Sequence, residues 1–149
     1  MKNIVKEYTL KYEPTQHETR TIKDSRESYE AVKDIFDPDT LPIYESFYAV
    51  YLNRSLKIKG FMKIGQGGLT NTVADPRLVL IGALESLSTD IIIAHNHPSG
   101  NPSPSTEDRN LTKRMKAACD LLDIGLLDHI IIGGNGKYYS FRDNGEMIL

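Results

Sequence analysis

Apolar and polar positions alternate along this chain with two different periods, one typical of helices and one typical of strands. In the N-terminal part, a weak two-residue alternation predicts a strand over Val5–Tyr12. Apolar residues then recur every three or four positions from about Ser25 to Phe36, which predicts a helix with one apolar face. The segment Asp37–Pro42 contains two prolines and ends that helix.

The middle of the chain predicts a strand pair followed by a helix. Phe47–Leu52 and Leu56–Ile64 are rich in apolar and aromatic residues, and a polar turn separates them. Asp75 followed by Pro76 has the composition of a helix N-cap with proline at the first helical position. The helix that opens there is expected to run to about Leu87.

Strands and helices continue to alternate in the second half of the chain. The pattern predicts a buried strand over Ile91–Ala94, a helix from about Thr106 to Leu122 that stops near Gly125, and strands over Ile130–Ile132 and Lys137–Phe141. Asn135–Gly136 is typical of a hairpin turn between these last two strands. This order predicts an α/β fold, a mixed β-sheet with flanking helices.

Length and composition indicate one globular domain. The chain has 149 residues, of which 40% are hydrophobic and 26% are charged. We expect residues 1–149 to form a single domain, with residues 1–40 as an extension packed on the same core. One cysteine allows no internal disulfide, which suits a reducing compartment. No run of about 18 apolar residues or apolar signal segment is present, so we expect a cytoplasmic protein without membrane contact.

Charge leaves one local question open. The formal net charge is −2, which gives no overall basic surface for nucleic acid. Four basic residues nevertheless crowd the helix predicted after Thr106: Arg109, Lys113, Arg114 and Lys116. A solvated helix face and a local DNA-binding patch both explain this cluster, and we favour the solvated face.

The strongest chemical signal is the combination of His95, His97, Ser105 and Asp108. Two imidazoles and one carboxylate are the ligand set of a hydrolytic zinc site in which water takes the fourth position. The histidines follow a predicted buried strand, and side chains two residues apart on extended backbone point the same way. If Ser105 opens a helix, Asp108 lies in its first turn. Imidazole favours zinc over magnesium, which prefers oxygen ligands.

The same segment also has plain structural interpretations. Ser105 before a helix whose first turn is acidic is typical of an N-cap, and this does not exclude metal binding. Between His97 and Ser105 lie three prolines and Gly100, so the loop is expected to be stiff and to hold Asp108 at a set distance. His129 has two interpretations: a structural histidine, or a residue that hydrogen-bonds to a metal ligand. We favour the structural histidine.

The string HNHPSGNPSPSTED, from His95 to Asp108, resembles the JAMM (MPN/JAB) metalloprotease motif and in particular its RadC branch. The resemblance extends from about Glu45 to Gly133. It implies the JAB/MPN, cytidine-deaminase-like fold and one zinc ion per chain, bound by His95, His97 and Asp108. It also implies that the hydroxyl of Ser105 helps to stabilise the oxyanion.

The general base is selected by the resemblance alone. RadC-like chains carry a glutamate just before an apolar strand, which corresponds to Glu45 here; composition alone leaves Glu7, Glu13 and Glu18 equally available. In the implied chemistry, Glu45 takes a proton from the zinc-bound water and delivers it to the leaving amine. No nucleophilic side chain is required, and Cys119 is interpreted as a structural thiol.

Two classes of function follow from the resemblance. The first is a zinc-dependent metallopeptidase or isopeptidase with a peptide or isopeptide substrate. The second is a non-proteolytic RadC-like module that associates with DNA or acts as a scaffold. The complete ligand set favours the first class, as do the low net charge and the lack of the Gly-rich turns of a helix-hairpin-helix region.

Overall fold

The computed structural model describes residues 5, 7, 9, 11–67 and 74–147. Within this part of the chain, helices and strands follow one another in the order α1 (Ser25–Lys33), β1 (Ser46–Leu52), β2 (Ile58–Gln66), α2 (Pro76–Glu85), β3 (Asp90–Asn96), α3 (Thr106–Leu121), β4 (Gly125–Ile132) and β5 (Tyr138–Ser140). The strands form one sheet in the order β2-β1-β3-β4-β5. Only β3 and β4 are parallel, and the three other neighbouring pairs are antiparallel.

The central strand β3 is apolar on both faces because helices cover both sides of the sheet. Ile91 and Ile93 pack with residues of α2 and α3, including Val79 and Met115. Ile92 points to the other face, where it joins the cluster that contains Val32 of α1. The predicted mixed sheet with flanking helices is therefore confirmed, as is the predicted buried strand over Ile91–Ala94.

Strand directions bring three chain segments to one edge of the sheet. The parallel strands β3 and β4 both end there, and their connection through α3 places the start of that helix at the same edge. Strand β1 runs the other way, so it begins where β3 ends, and Phe47 pairs with His95. Glu45, just before β1, is thereby carried next to the histidines.

Helix starts follow the sequence closely, whereas some helix ends do not. Asp75 caps α2 by accepting a hydrogen bond from the backbone N–H of Arg77, with Pro76 at the first position, as predicted. Helix α1 ends at Lys33, three residues before the predicted Phe36, although Phe36 is buried. Three of the eight residues of the predicted strand Val5–Tyr12 lie outside the described residues, and the five described residues are not in a strand.

Strand β4 is longer than the sequence predicted. It begins at Gly125, near which the preceding helix was expected to stop. That helix ends at Leu121, one residue before the predicted Leu122, with Asp123 in the left-handed region at φ 54°. The prediction began only at Ile130 because Asp128 and His129 interrupt the apolar pattern. Both are nevertheless buried, and hydrogen bonds compensate for their burial.

The last hairpin forms as predicted. Asn135 and Gly136 both have positive φ, 54° and 74°, as a type I′ turn requires. The strand on its far side spans Tyr138–Ser140, slightly shorter than predicted. Across the described residues, no helix has both the length and the apolar character needed to span a membrane.

Candidate metal centre

Four side chains from three chain segments converge at this edge of the sheet. The Nε2 atoms of His95 and His97 lie 3.1 Å apart. Asp108, in the first turn of α3, places Oδ1 3.1 Å from Nε2 of His95 and Oδ2 3.4 Å from Nε2 of His97. Oε1 of Glu45 lies 3.8 Å and 3.7 Å from the same two nitrogens. The sequence thus located all four side chains, although spacing alone could not show that Glu45 joins them.

This arrangement can hold a metal ion. One ligand atom each from Glu45, His95 and His97 lies within 4.8 Å of the others. Asp108 approaches both imidazoles more closely than Glu45 does. The donors are two imidazole nitrogens and carboxylate oxygens, and zinc accepts such a mixture whereas magnesium favours oxygen alone.

Burial differs across the centre. The His95 side chain is 3% exposed and its ring stacks on Phe47, whereas the side chains of His97 and Glu45 are 17% and 19% exposed. Next to His97 lies an open cavity of about 260 Å³, bounded by α1, the loop after β3 and the β4–β5 hairpin. The site is therefore closed on the His95 side and reachable from solvent on the His97 side.

Hydrogen bonding determines the tautomer of His97. Its Nδ1 lies 2.9 Å from the backbone carbonyl oxygen of Asn101. A carbonyl only accepts, so Nδ1 carries the hydrogen and the Nε2 of neutral His97 presents a lone pair to the centre. The loop that was expected to be stiff therefore orients a ligand as well as spacing it.

The charges of the centre complement one another. Burial alone would raise the pKa of the Asp108 carboxyl, but hydrogen bonds from His95 and His97 outweigh it and lower that pKa below its usual range. The hydrogen bond to Asp108 is also the main cause that raises the pKa of His97. A group of side chains that holds a positive charge this well is electrostatically suited to a cation.

Ser105 and Asp108 form the N-terminal cap of α3, as the sequence predicted. The Ser105 hydroxyl accepts from the Asp108 backbone N–H at 3.0 Å, and Asp108 Oδ2 accepts from the Ser105 N–H at 2.7 Å. This reciprocal pair is a capping box with aspartate in place of the usual glutamate. The cap fixes the Asp108 carboxylate while leaving Oδ1 directed at His95.

The loop between the histidines and α3 is held against the last hairpin. Gly100 has φ +83° and accepts a hydrogen bond from the backbone N–H of Gly134. A Cβ on Gly133 would lie 2.6 Å from the Gly100 carbonyl oxygen, so only glycine permits this approach. The sequence indicated the stiffness of the loop but not its partner, because that contact joins residues far apart in the chain.

His129, beside the centre, and Glu146, which pairs with α3, make contacts that the sequence did not predict. His129 was interpreted as structural, yet its fully buried ring lies against His95, with Nε2 2.9 Å from His95 Nδ1. Burial is the main cause that lowers the pKa of His129 well below its ordinary value, which favours the neutral ring. Glu146 pairs with Arg109 at 2.8 Å and ties the C-terminal turn to α3. Neither residue lies in a recognisable motif, so only the fold could reveal these contacts.

The fold and the centre together define a mixed α/β domain of the JAB type with a site that can hold a metal ion. Comparison with known families agrees: the sequence model described as "RadC-like JAB domain" matches residues 22–146. The chain belongs to the RadC-like JAB domain family.

Similar bacterial proteins carry the name UPF0758. One from Aquifex aeolicus is 41% identical over 127 residues, which cover 85% of this chain and 53% of that protein. One from Porphyromonas gingivalis is 41% identical over 134 residues, covering 89% of this chain and 58% of that protein. The UPF0758 protein gbs1168 from Streptococcus agalactiae serotype III is 43% identical over 104 residues, which cover 70% of this chain and 46% of that protein. The chain thus spans about half the length of these curated relatives.

Proposed function

We propose that this domain is a zinc-dependent hydrolase that cleaves peptide or isopeptide bonds. The observation that carries the proposal is the convergence of two imidazole Nε2 atoms and two carboxylates on one point at a solvent-reachable sheet edge. When the imidazoles are neutral and carry their hydrogen on Nδ1, each group of this set presents an acceptor, and a cation is the partner that satisfies all of them.

The ligands would be His95, His97 and Asp108, and the fourth position would be left to water. Three protein ligands and one open position distinguish catalytic zinc sites from structural ones. When bound, zinc lowers the pKa of its water toward about 7 and polarises a carbonyl group. Asp108 is preferred to Glu45 as the third ligand because its carboxylate lies closer to both nitrogens and is fixed by the helix cap.

Glu45 is proposed to transfer the proton. Its Oε1 lies 3.8 Å and 3.7 Å from the two imidazole nitrogens, so the carboxylate stands beside the point where the ligands meet. In the proposed reaction Glu45 accepts a proton from the attacking water and donates it to the leaving amine. The exposed fraction of its side chain, 19%, leaves one side open to a substrate.

Ser105 is proposed to donate a hydrogen bond to the oxyanion that forms at the attacked carbonyl. Its oxygen accepts from the Asp108 N–H, and among the described residues no acceptor holds its hydroxyl hydrogen. That hydrogen is therefore free to turn toward a bound substrate. A single donor of this kind typically contributes about 10²–10³ in rate.

The cavity beside His97 is the proposed place for one side of the substrate chain. It is lined by the β4–β5 hairpin, by Pro98 and Gly100 of the loop, and by Tyr29 and Lys33 of α1. Glycines and backbone dominate the hairpin wall, so an extended peptide backbone can approach closely there.

The arrangement of charge on α3 weighs against a DNA-binding patch on this helix. Arg109 pairs with Glu146, and Lys116 pairs with Asp120 one turn away. Two of the four basic residues of this helix thus form ion pairs with carboxylates of the protein itself. This supports the interpretation of the cluster as a solvated helix face.

The proposal is tested with a panel of fluorogenic peptides and isopeptide-linked substrates. Zinc-loaded wild type is compared with the Glu45→Gln variant, which nearly preserves volume but removes the proton acceptor. We expect turnover by wild type that a chelator abolishes and added zinc restores, and none by the variant. Equal turnover by both proteins would contradict the role of Glu45. Chelator-insensitive turnover would contradict the role of the metal.

A further inference from the structure

A buried chain of hydrogen bonds leads away from His95 and returns to Asp108. His95 Nδ1 lies 2.9 Å from His129 Nε2, and His129 Nδ1 lies 2.6 Å from Thr112 Oγ1. Thr112 Oγ1 in turn donates to the backbone carbonyl of Asp108 at 2.7 Å. His129 and Thr112 are 0% and 1% exposed, so water does not interrupt the chain. A histidine of β4 and a threonine of α3 thereby connect two proposed metal ligands.

The direction of each hydrogen in this chain follows from one hydroxyl group. Thr112 has a single hydroxyl hydrogen and gives it to the Asp108 carbonyl, so its oxygen accepts from Nδ1–H of His129. Neutral His129 then has a lone pair on Nε2, which accepts from Nδ1–H of His95. In neutral His95 the remaining nitrogen, Nε2, is then left with a lone pair on the side of His97 and Asp108.

We propose that His129 and Thr112 are positioning residues that hold His95 in the tautomer able to bind a metal. This inference rests on the proposed metal centre, but it concerns residues that do not touch the metal. In the opposite tautomer, a hydrogen on Nε2 of His95 would occupy the direction of the metal. Mutation of a residue that fixes the tautomer and orientation of a ligating histidine typically lowers metal affinity by about 10–100-fold.

Packing holds the ring of His129 in the orientation that this role requires. The ring stacks on Phe141, with centroids 4.6 Å apart and planes 10° from parallel, and it also contacts Phe47. Phe47 in turn stacks on His95. Phe47 therefore contacts both histidines while Phe141 holds the ring of His129, and these contacts restrict rotation of either ring away from their hydrogen bond.

A matched pair of variants at Thr112 separates this role from packing. Thr112→Val keeps the volume but removes the acceptor for His129 and the donor to Asp108. Thr112→Ser keeps the hydroxyl and loses one methyl group. We expect zinc affinity, measured by competition with a chromophoric chelator, to fall about 10–100-fold in the valine variant. The serine variant should bind zinc within a few-fold of wild type, and thermal melts verify that both variants are folded.

Nitrogen-15 NMR of the histidine side chains tests the tautomer itself, in metal-free protein at a pH where the imidazoles are neutral. In wild type we expect the hydrogen of His95 on Nδ1; a wild-type spectrum with that hydrogen on Nε2 would overturn the inference. In Thr112→Val the Nε2–H form should appear, and unchanged zinc affinity with an unchanged spectrum would also overturn it. A wild type that binds no zinc would contradict the proposed function, whereas the metal-free spectrum would still decide the tautomer.

Discussion

At the scale of single residues, Asp108 combines two tasks that usually belong to different side chains. Oδ2 completes the helix cap with the Ser105 N–H, and Oδ1 faces His95. The sequence suggested both tasks, because S-x-x-D opens a predicted helix and follows two histidines. It could not show that one carboxylate performs both, since that depends on where the loop places the start of α3.

The two carboxylates of the centre are expected to respond differently to substitution. Asp108→Ala removes a proposed ligand and half of the cap, so it should lose both bound zinc and turnover. Glu45→Gln should retain zinc near one equivalent per chain and lose turnover. Elemental analysis of the purified variants, with melts as a control for folding, measures the difference. Full zinc content in Asp108→Ala together with loss of zinc in Glu45→Gln would reverse the two assignments.

Ser105→Ala should affect rate and stability separately. The hydroxyl accepts a hydrogen bond in the helix cap, so its loss should lower the free energy of unfolding by about 1 kcal/mol. The proposed oxyanion contact should cost about 10²–10³ in turnover with zinc content unchanged. Denaturant melts and kinetics on the same preparation distinguish the two effects. An unchanged rate would leave Ser105 with the role of a cap alone.

At the scale of elements, the sequence was most informative where local chemistry decides the structure. The hairpin at Asn135–Gly136 and the caps at Asp75 and Ser105 were predictable, because each depends on neighbouring residues. Strand β4 was not, because Asp128 and His129 are tolerated in its interior only through hydrogen bonds from other elements. The attachment of the loop after β3 to the β4–β5 hairpin could not be predicted either, because it also depends on contacts between residues far apart in the chain.

That attachment can be tested through glycine. In Gly133→Ala, the new methyl group would meet the Gly100 carbonyl oxygen at 2.6 Å and Pro102 Cδ at 2.8 Å. We expect a loss of about 1–3 kcal/mol in the free energy of unfolding, and weaker zinc binding because the loop that orients His97 must shift. Gly60→Ala in β2 is the matched control, since nothing lies within 4 Å of its added methyl. Equal zinc affinity in the two variants would contradict a positioning role for the loop.

At the scale of the whole molecule, the apolar pattern predicted the layers and the motif predicted the edge at which the site forms. The convergence of Glu45 with the histidines follows from topology: β1 is antiparallel to β3, so its beginning meets the end of β3. Residue patterns in a single sequence do not reveal strand order. Only the family resemblance selected Glu45 from the other glutamates. The contacts of His129 and Glu146 required the folded chain.

Global stability should depend on pH through Asp128. Burial raises the pKa of its carboxyl from 3.8 to about 6, although it accepts hydrogen bonds from Ser140 and from the Arg142 N–H. The folded state therefore binds more protons than the unfolded state between these values, and the free energy of unfolding should fall as pH rises from about 4 to about 6. The shift sets an upper limit of about 3 kcal/mol for this loss.

Asp128→Asn isolates that contribution. The amide oxygen can still accept from the two backbone N–H groups, and its NH₂ group can donate to Ser140 Oγ, which is free to reorient. Urea melts of metal-free wild type and variant between pH 4 and pH 7 should show a smaller loss of stability in the variant. Parallel pH profiles would show that Asp128 is not the group responsible.

The most direct test of the central claim is anomalous diffraction from zinc-soaked crystals, recorded on both sides of the zinc absorption edge. We predict one peak per chain, about 2.0–2.2 Å from the Nε2 atoms of His95 and His97 and from an oxygen of Asp108. A water should complete the coordination, and Glu45 should contact that water without binding zinc. A peak elsewhere, or one in which Glu45 replaces Asp108 as ligand, would contradict the proposed centre.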